Sequence, residues 1–258
     1  MIIELFGAPG AGKTTFAHAL AAHLGERGHT VDLILSARPE ERSPREIRSA
    51  SDLKPHPPTN LIWRLTHLFA EILAMARSPF TISHDVATAL TLIKILPPSN
   101  TLWSLRLAQY VSRLSRAWSK ASDTDHIVLF DQAFVQVVCS LALLSDRADK
   151  LLISHALDTV PKSDVLIRLD APIVTLEARL RHRQRLESRI ERVLELDLAT
   201  NLRSPAIVDC LHDLLRKRGR DVTYAESLDK HSLHEALERI EKQIMAQLSI
   251  ERGESGMR

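Results

Sequence analysis

Short runs of apolar residues alternate along the chain with longer segments in which apolar residues recur every three or four positions. The runs have the length and β-branched content of buried strands and lie at 2–6, 29–35, 126–131, 163–170 and 221–225. Helical spacing is found between and after them, at 13–25, 133–145, 205–218 and 232–248. This alternation predicts an α/β fold with a mostly parallel five-stranded sheet and helices on both faces. The tail, 251–258, is expected to fray.

Two long segments interrupt this alternation. Residues 36–60 are polar and rich in proline, which predicts a loop. Residues 61–121 form a helical block that prolines divide into pieces near 61–77, 83–96 and 100–121. Its tryptophans fit helix packing in a core, and they also fit the wall of a substrate pocket. Without a strong linker, the chain is expected to form one domain over 1–258, with 61–121 as a helical insert.

A glycine-rich loop joins the first strand to the first helix. Gly7, Gly12, Lys13 and Thr14 match the pattern G-x-x-x-x-G-K-[ST], and the flanking strand and helix are the context that this phosphate-binding motif requires. Glycines let the backbone bend around an anion, and the start of the helix adds positive potential. The alternative is a glycine-rich turn that binds nothing.

The motif also assigns roles within the loop. Lys13 is expected to reach the β- and γ-phosphates of ATP, and the Thr14 hydroxyl is expected to ligate Mg²⁺. Apart from that contact, the Lys13 side chain is expected to be solvated. The predicted nucleotide-binding residues are those of the loop itself: Gly7, Ala8, Pro9, Gly10, Ala11, Gly12, Lys13, Thr14 and Thr15.

Two of the predicted strands end in an acid, at Asp131 and Asp170. Either could be the carboxylate beside the metal. Chain order favours Asp131, because the strand that ends at Asp170 leads directly into an arginine-rich helix. The alternative for each acid is to cap the helix that follows.

Four arginines alternate with other residues on that helix: Arg179, Arg181, Arg183 and Arg185. At helical spacing they form like-charged i,i+4 pairs, which a bound triphosphate would relieve. We assign Arg181 and Arg183 to the transferred phosphoryl group, and Arg179 and Arg185 to the nucleotide. The alternative is a solvated face with the nearby glutamates, Glu177, Glu187 and Glu191, as partners.

Two further basic features are a cluster at the end of a predicted helix and a single arginine after the second predicted strand. A second basic cluster, 216–220, ends a helix and is expected to complement its dipole. Arg38 follows the second strand, where ligands bind in open α/β sheets, and is either a substrate-binding residue or an ordinary surface arginine.

Composition excludes several classes of function. The net charge is only +2 and aromatic residues make up 4% of the 258 residues, which argues against nucleic-acid binding and against an anionic membrane partner. Cys139 and Cys210 lie in apolar helical patterns and are expected to be buried thiols. The chain begins with a strand and shows no signal peptide, and its most apolar stretch is too short to span a bilayer. A cytoplasmic protein is expected.

In this order, the motifs resemble the thymidylate-kinase-like P-loop kinases of the nucleoside monophosphate kinase group. The loop from Gly7 to Thr15 matches that group, and Asp131 occupies the first position of its strand-terminal Asp-Arg motif, with Gln132 in place of the arginine. Arg38 sits where the group has a substrate-side arginine. The resemblance implies a lid over ATP at about 179–192.

The expected function is an ATP-dependent kinase that moves the γ-phosphate to a small, unidentified acceptor. Lys13, Asp131, Arg181 and Arg183 would be catalytic, and Thr14 and Asp131 would hold Mg²⁺. The alternative is a P-loop NTPase switch that has no acceptor and acts through a protein partner bound at 61–121. Whether the chain forms a homodimer is left open.

Overall fold

A computed structural model gives the structure of the protein over residues 1–36, 84–186, 196–226 and 228–255. Several sequence predictions fall wholly or partly outside the described residues. These are the loop from 37 to 60 with the substrate role of Arg38, the part of the insert at 61–83, the part of the lid at 187–192, and the end of the tail at 256–258.

The described residues contain one parallel sheet of five strands, as predicted. The strands are β1 (Ile2–Gly7), β2 (Val31–Ile34), β3 (Ile127–Phe130), β4 (Val165–Asp170) and β5 (Val222–Glu226). Their order across the sheet is β2-β3-β1-β4-β5. The central strand β1 therefore lies between β3 and β4, with Glu4 opposite Phe130 and Gly7 opposite Leu169. The loop after β1 is placed next to the carboxyl ends of both neighbours.

Helices cover both faces of the sheet. In the described residues they are α1 (Lys13–Glu26), α2 (His84–Ile95), α3 (Thr101–Ser122), α4 (Phe134–Leu144), α5 (Lys150–Thr159), α6 (Ile173–Leu186), α7 (Leu198–Leu202), α8 (Ser204–Lys217) and α9 (Lys230–Ser255). The helix pieces near 83–96 and 100–121 correspond to α2 and α3. The expected fraying is wrong for residues 251–255, because α9 continues to Ser255.

Two helices were not predicted from the sequence, although each has a capping signal. The Asp149 carboxylate accepts the Leu152 N–H at the start of α5, and the Asp197 carboxylate accepts the Thr200 N–H at the start of α7. Both helices are short, so their apolar periodicity is weak.

The sheet separates two hydrophobic cores. Ile2 and Phe6 of β1 face a core shared with α2–α5 and α8, and Ile3 and Leu5 face the core of α1 and α9. In the insert, Trp118 of α3 is buried and its ring centroid lies 5.3 Å from that of Phe130. Trp118 is therefore a core residue, as the packing alternative predicted.

Within the part of the chain that the structure describes, no helix combines the length and apolar character needed to cross a membrane.

Candidate active site

The loop between β1 and α1 depends on glycine at both of its ends. Gly7 lies at φ +153°, and a Cβ atom at this position would collide with the carbonyl oxygen of Leu169 on β4. Gly12, at φ +93°, directly precedes α1 in the left-handed region. Other residues would strain the loop or push β1 away from β4.

Lys13 is buried, and the expectation of a solvated side chain is wrong. Its exposed fraction is 7%, and the ammonium donates to the carbonyl oxygens of Gly7 at 2.9 Å and Ala8 at 3.0 Å. The side chain folds back because the loop's own carbonyls supply hydrogen bonds for a charge out of contact with water. The lysine is thus held at the loop, where the motif requires it.

Asp131 connects three elements at the carboxyl edge of the sheet. It is fully buried at the end of β3, and its Oδ2 accepts the Thr14 hydroxyl of α1 at 2.7 Å. Its Oδ1 accepts the backbone N–H of Ser36, just beyond β2, at 2.6 Å. The structure therefore brings Thr14 and Asp131 into contact, the two residues that the sequence predicted as Mg²⁺ ligands.

The Thr14 hydroxyl and the Asp131 carboxylate also suit Mg²⁺ chemically. Both offer hard oxygen atoms, the ligand type that Mg²⁺ binds through one or two protein groups. The 2.7 Å separation between Thr14 Oγ1 and Asp131 Oδ2 shows that the two groups converge.

Asp170 belongs to a different cluster. Its Oδ2 accepts from Arg168 at 2.9 Å, and the same guanidinium donates to Asp209 on α8 at 2.6 Å. Arg168 also stacks over the ring of Tyr224 at 5.1 Å. Asp170 thus balances a buried arginine, a role that neither of the two sequence alternatives described.

The arginines of α6 lie in different surroundings. The Arg179 guanidinium donates to the carbonyl oxygen of Gly10 in the loop at 3.0 Å. Arg181 is exposed and pairs with Glu177 at 2.6 Å, as the solvated-face alternative predicted. Arg185 is exposed and Arg183 half-buried. Arg179 therefore contacts the loop, whereas Arg181 faces solvent.

Comparison with known proteins places this arrangement in a known fold. No protein-family model and no curated protein sequence matches the chain. Among solved structures, deoxyadenosine kinase from M. mycoides with products dCMP and a flexible dCDP bound aligns over 95% of this chain and 100% of that one, with 14% identity and a TM-score of 0.50. The fold is that of a P-loop kinase.

A second structure of that enzyme, with bound dATP, aligns over 95% of this chain and 99% of that one, with 13% identity and a TM-score of 0.48. The likeness to the first of these structures, at a TM-score of 0.50, concerns the P-loop kinase fold and does not single out the thymidylate kinase group within it.

Three residues near Asp131 extend the site beyond the residues that sequence reasoning selected. The side-chain amide of Gln132 donates to the Ser36 hydroxyl at 2.8 Å, and the Tyr110 hydroxyl of α3 donates to the Gln132 carbonyl oxygen at 3.2 Å. Burial, with Asp131 and Glu4 nearby, raises the pKa of Tyr110, which is therefore a neutral donor. In this P-loop kinase fold, a neutral amide thus occupies the position after Asp131.

Two polar residues inside apolar runs support the loop from behind. Gln136 of α4 accepts the Gly7 N–H at 3.1 Å, and Glu4 of β1 accepts the Val135 N–H at 2.6 Å. Burial raises the pKa of Glu4 to about 8, although the Val135 N–H and Arg220 pull the pKa in the opposite direction. A lone polar residue within an apolar run was the sequence signal for each.

Proposed function

We propose that the protein is an ATP-dependent phosphotransferase that moves the γ-phosphate to a small acceptor. The observation that carries the proposal is the hydrogen bond between Thr14 of the loop and Asp131 at the end of the neighbouring strand. It joins a phosphate-binding motif to a buried acid at the carboxyl edge of a parallel sheet. Ligands of open α/β folds bind at this edge.

The loop and two neighbouring cations would position the triphosphate and neutralise its charge. Phosphoryl transfer requires positioning and neutralisation of charge on the phosphates more than covalent help from the protein. Lys13 would exchange the Gly7 and Ala8 carbonyls for phosphate oxygens, and Arg179 would do the same from the Gly10 carbonyl. Lys13 contacts the Gly7 and Ala8 carbonyls and Arg179 contacts the Gly10 carbonyl, so the two cations would reach the triphosphate from different parts of the loop.

Thr14 and Asp131 would hold Mg²⁺, which when bound supplies charge neutralisation at the phosphates. Asp131 also orients Thr14 and the backbone beyond β2 through its two oxygen atoms. Loss of the Asp131 charge would therefore disturb both the metal ligands and the backbone at Ser36.

A nucleoside is the acceptor class that we propose to test first. The M. mycoides enzyme with the same fold is a deoxyadenosine kinase. In this chain the Gln132 side chain carries no charge to pair with an acceptor phosphate, and its amide is engaged by Ser36. A hydroxyl-bearing, uncharged acceptor therefore fits better than a nucleoside monophosphate.

The test is transfer of labelled γ-phosphate from ATP to a panel of nucleosides, nucleoside monophosphates and other small alcohols. We expect a labelled monophosphate from at least one nucleoside, and loss of that product with Lys13→Ala. Lys120→Ala, at an exposed lysine of α3, serves as the matched control. ATP hydrolysis without transfer to any acceptor would favour the switch alternative, and absence of both activities would refute the proposal.

A further inference from the structure

A cavity lies at the edge of the sheet opposite the phosphate loop. Its walls come from the turn between α5 and β4 and from the turn between α8 and β5, so it is found at the amino ends of those strands. Its volume is about 280 Å³. This is close to the lower end of the range of roughly 300–1,000 Å³ for small-molecule pockets. The mouth of the cavity therefore lies away from the phosphate loop, its inner end reaches Glu4 and Val135 behind the loop, and its size suits a small ligand.

Glu4 lines the inner end of this cavity with an unpaired oxygen. The side chain is fully buried, and its Oε2 has no hydrogen-bond partner among the described residues. Burial raises the pKa of this carboxyl group to about 8, which favours the protonated form at neutral pH. Oε1 already accepts the Val135 N–H, so a proton on this carboxyl group would reside on Oε2. A buried donor without an acceptor is costly, and an acceptor from a ligand would relieve it.

The remaining polar groups of the cavity are also mainly donors. Arg220 is half-buried and donates to the Ser163 carbonyl oxygen, and Lys162 lies at the exposed rim. Arg218 pairs with Asp158 at 2.8 Å, so these two charges balance each other. Two cations and a protonated carboxyl group thus face one space.

We propose that this cavity is a second binding site, which takes a small oxyanion such as a carboxylate or a phosphate. Glu4 donates one hydrogen bond to an anion oxygen, and Arg220 and Lys162 supply charge-assisted contacts. The inference does not depend on the proposed kinase activity.

Calorimetric titration with malonate and, separately, with inorganic phosphate tests the site and distinguishes the two kinds of anion. Phosphate is also a ligand for the loop, so both titrations include Lys13→Ala. We expect at least one anion to bind Lys13→Ala and Lys120→Gln with the wild-type affinity of the cavity, and to bind Arg220→Gln at least tenfold more weakly. If neither anion binds Lys13→Ala, or if Arg220→Gln binds as wild type does, the proposal is overturned.

Lys162→Gln provides a variant at an exposed position in case Arg220→Gln does not fold. Its thermal unfolding should match that of the wild type, and its anion affinity should fall severalfold. An unchanged anion affinity in Lys162→Gln would contradict the proposal that Lys162 contacts the anion at the rim of the cavity.

The dependence of malonate binding on pH tests the role of Glu4. The charge of malonate is constant above about pH 7, so the wild-type affinity should fall about tenfold per unit above about pH 8, as Glu4 ionises. Glu4→Gln keeps an acceptor for Val135 and a donor for the anion, and its affinity should not vary. Loss of malonate binding in Glu4→Gln, or a wild-type affinity that does not change with pH, would contradict the proposal.

The other ionisable groups around the cavity are common to both proteins and cancel in that comparison. They are His155, Asp158, Lys162 and Asp164 on one side, Arg218 and Arg220 on the other, and Tyr110 on α3.

Discussion

Replacing Glu4 by Gln should stabilise the protein increasingly as the pH rises. Burial raises the pKa of the Glu4 carboxyl group from 4.5 to about 8, so the folded state binds this proton more tightly than the unfolded state does. The contribution of Glu4 to stability is therefore greatest below about pH 4.5 and is lost as the pH rises towards 8, because folding then requires either protonation of this group or a buried charge. Gln keeps the acceptor for the Val135 N–H and removes the ionisation.

The size of the effect follows from the shift in pKa. Each unit of difference between the folded and unfolded pKa corresponds to about 1.4 kcal/mol. Between about pH 5 and pH 8 the unfolded carboxyl group is almost fully ionised and the folded one is not, so the wild type loses roughly 3 to 4 kcal/mol relative to Glu4→Gln. Above about pH 9 the difference should be nearly constant. An effect of this size is a large share of the roughly 5–15 kcal/mol typical of folded domains.

Urea unfolding of both proteins at pH values from about 5 to 9 measures this difference directly. Histidines and other groups titrate in both proteins and cancel in the difference. Glu26→Gln, the same change at an exposed position of α1, is the control and should show no growing difference. If the unfolding free energies of wild type and Glu4→Gln stay a constant distance apart across this range, the raised pKa of the buried Glu4 carboxyl group is refuted.

The remaining predictions concern phosphoryl transfer. Lys13→Ala should reduce ATP turnover by about 100-fold or more, because a cation at the transferred phosphate is lost; steady-state kinetics with labelled ATP measures this. Asp131→Asn should lower kcat at least about tenfold and raise the Mg²⁺ concentration needed, while Asp170→Asn should do much less; the reverse order in a Mg²⁺ titration would mean that the wrong strand was assigned. Arg179→Gln should lower kcat, whereas Arg181→Gln, which removes an exposed ion pair with Glu177, should leave kcat and KM near wild type; equal losses would contradict the geometry of α6.

The strands and the phosphate loop could be predicted because their signals are local. A buried parallel strand is a continuous apolar run, and the loop motif carries its own glycines and lysine. The pairing of Thr14 with Asp131 needed only the further rule that the carboxyl ends of parallel strands share one edge. These features required no knowledge of how helices pack.

The arginines and the buried polar residues could not be assigned in the same way. Arginines at every second position of a helix occupy several of its faces, so the sequence cannot tell Arg179, which contacts the loop, from Arg181, which faces solvent. Lys13 was expected in solvent because its carbonyl partners are backbone atoms, which a motif does not show. Glu4 and its partner Val135 are 131 positions apart, and only the fold brings them together.

The capping of α4 by Glu4 has a consequence for where phosphate binds. Both α1 and α4 begin near the loop, and the start of any helix attracts anions. At α4 the chain's own carboxyl group already accepts the Val135 N–H, and Gln136 is engaged by Gly7. The start of α4 is therefore already supplied with a hydrogen-bond acceptor from the chain itself. Glu4 lies outside the phosphate loop, yet it thereby helps to leave α1 as the helix start that would receive the nucleotide phosphates.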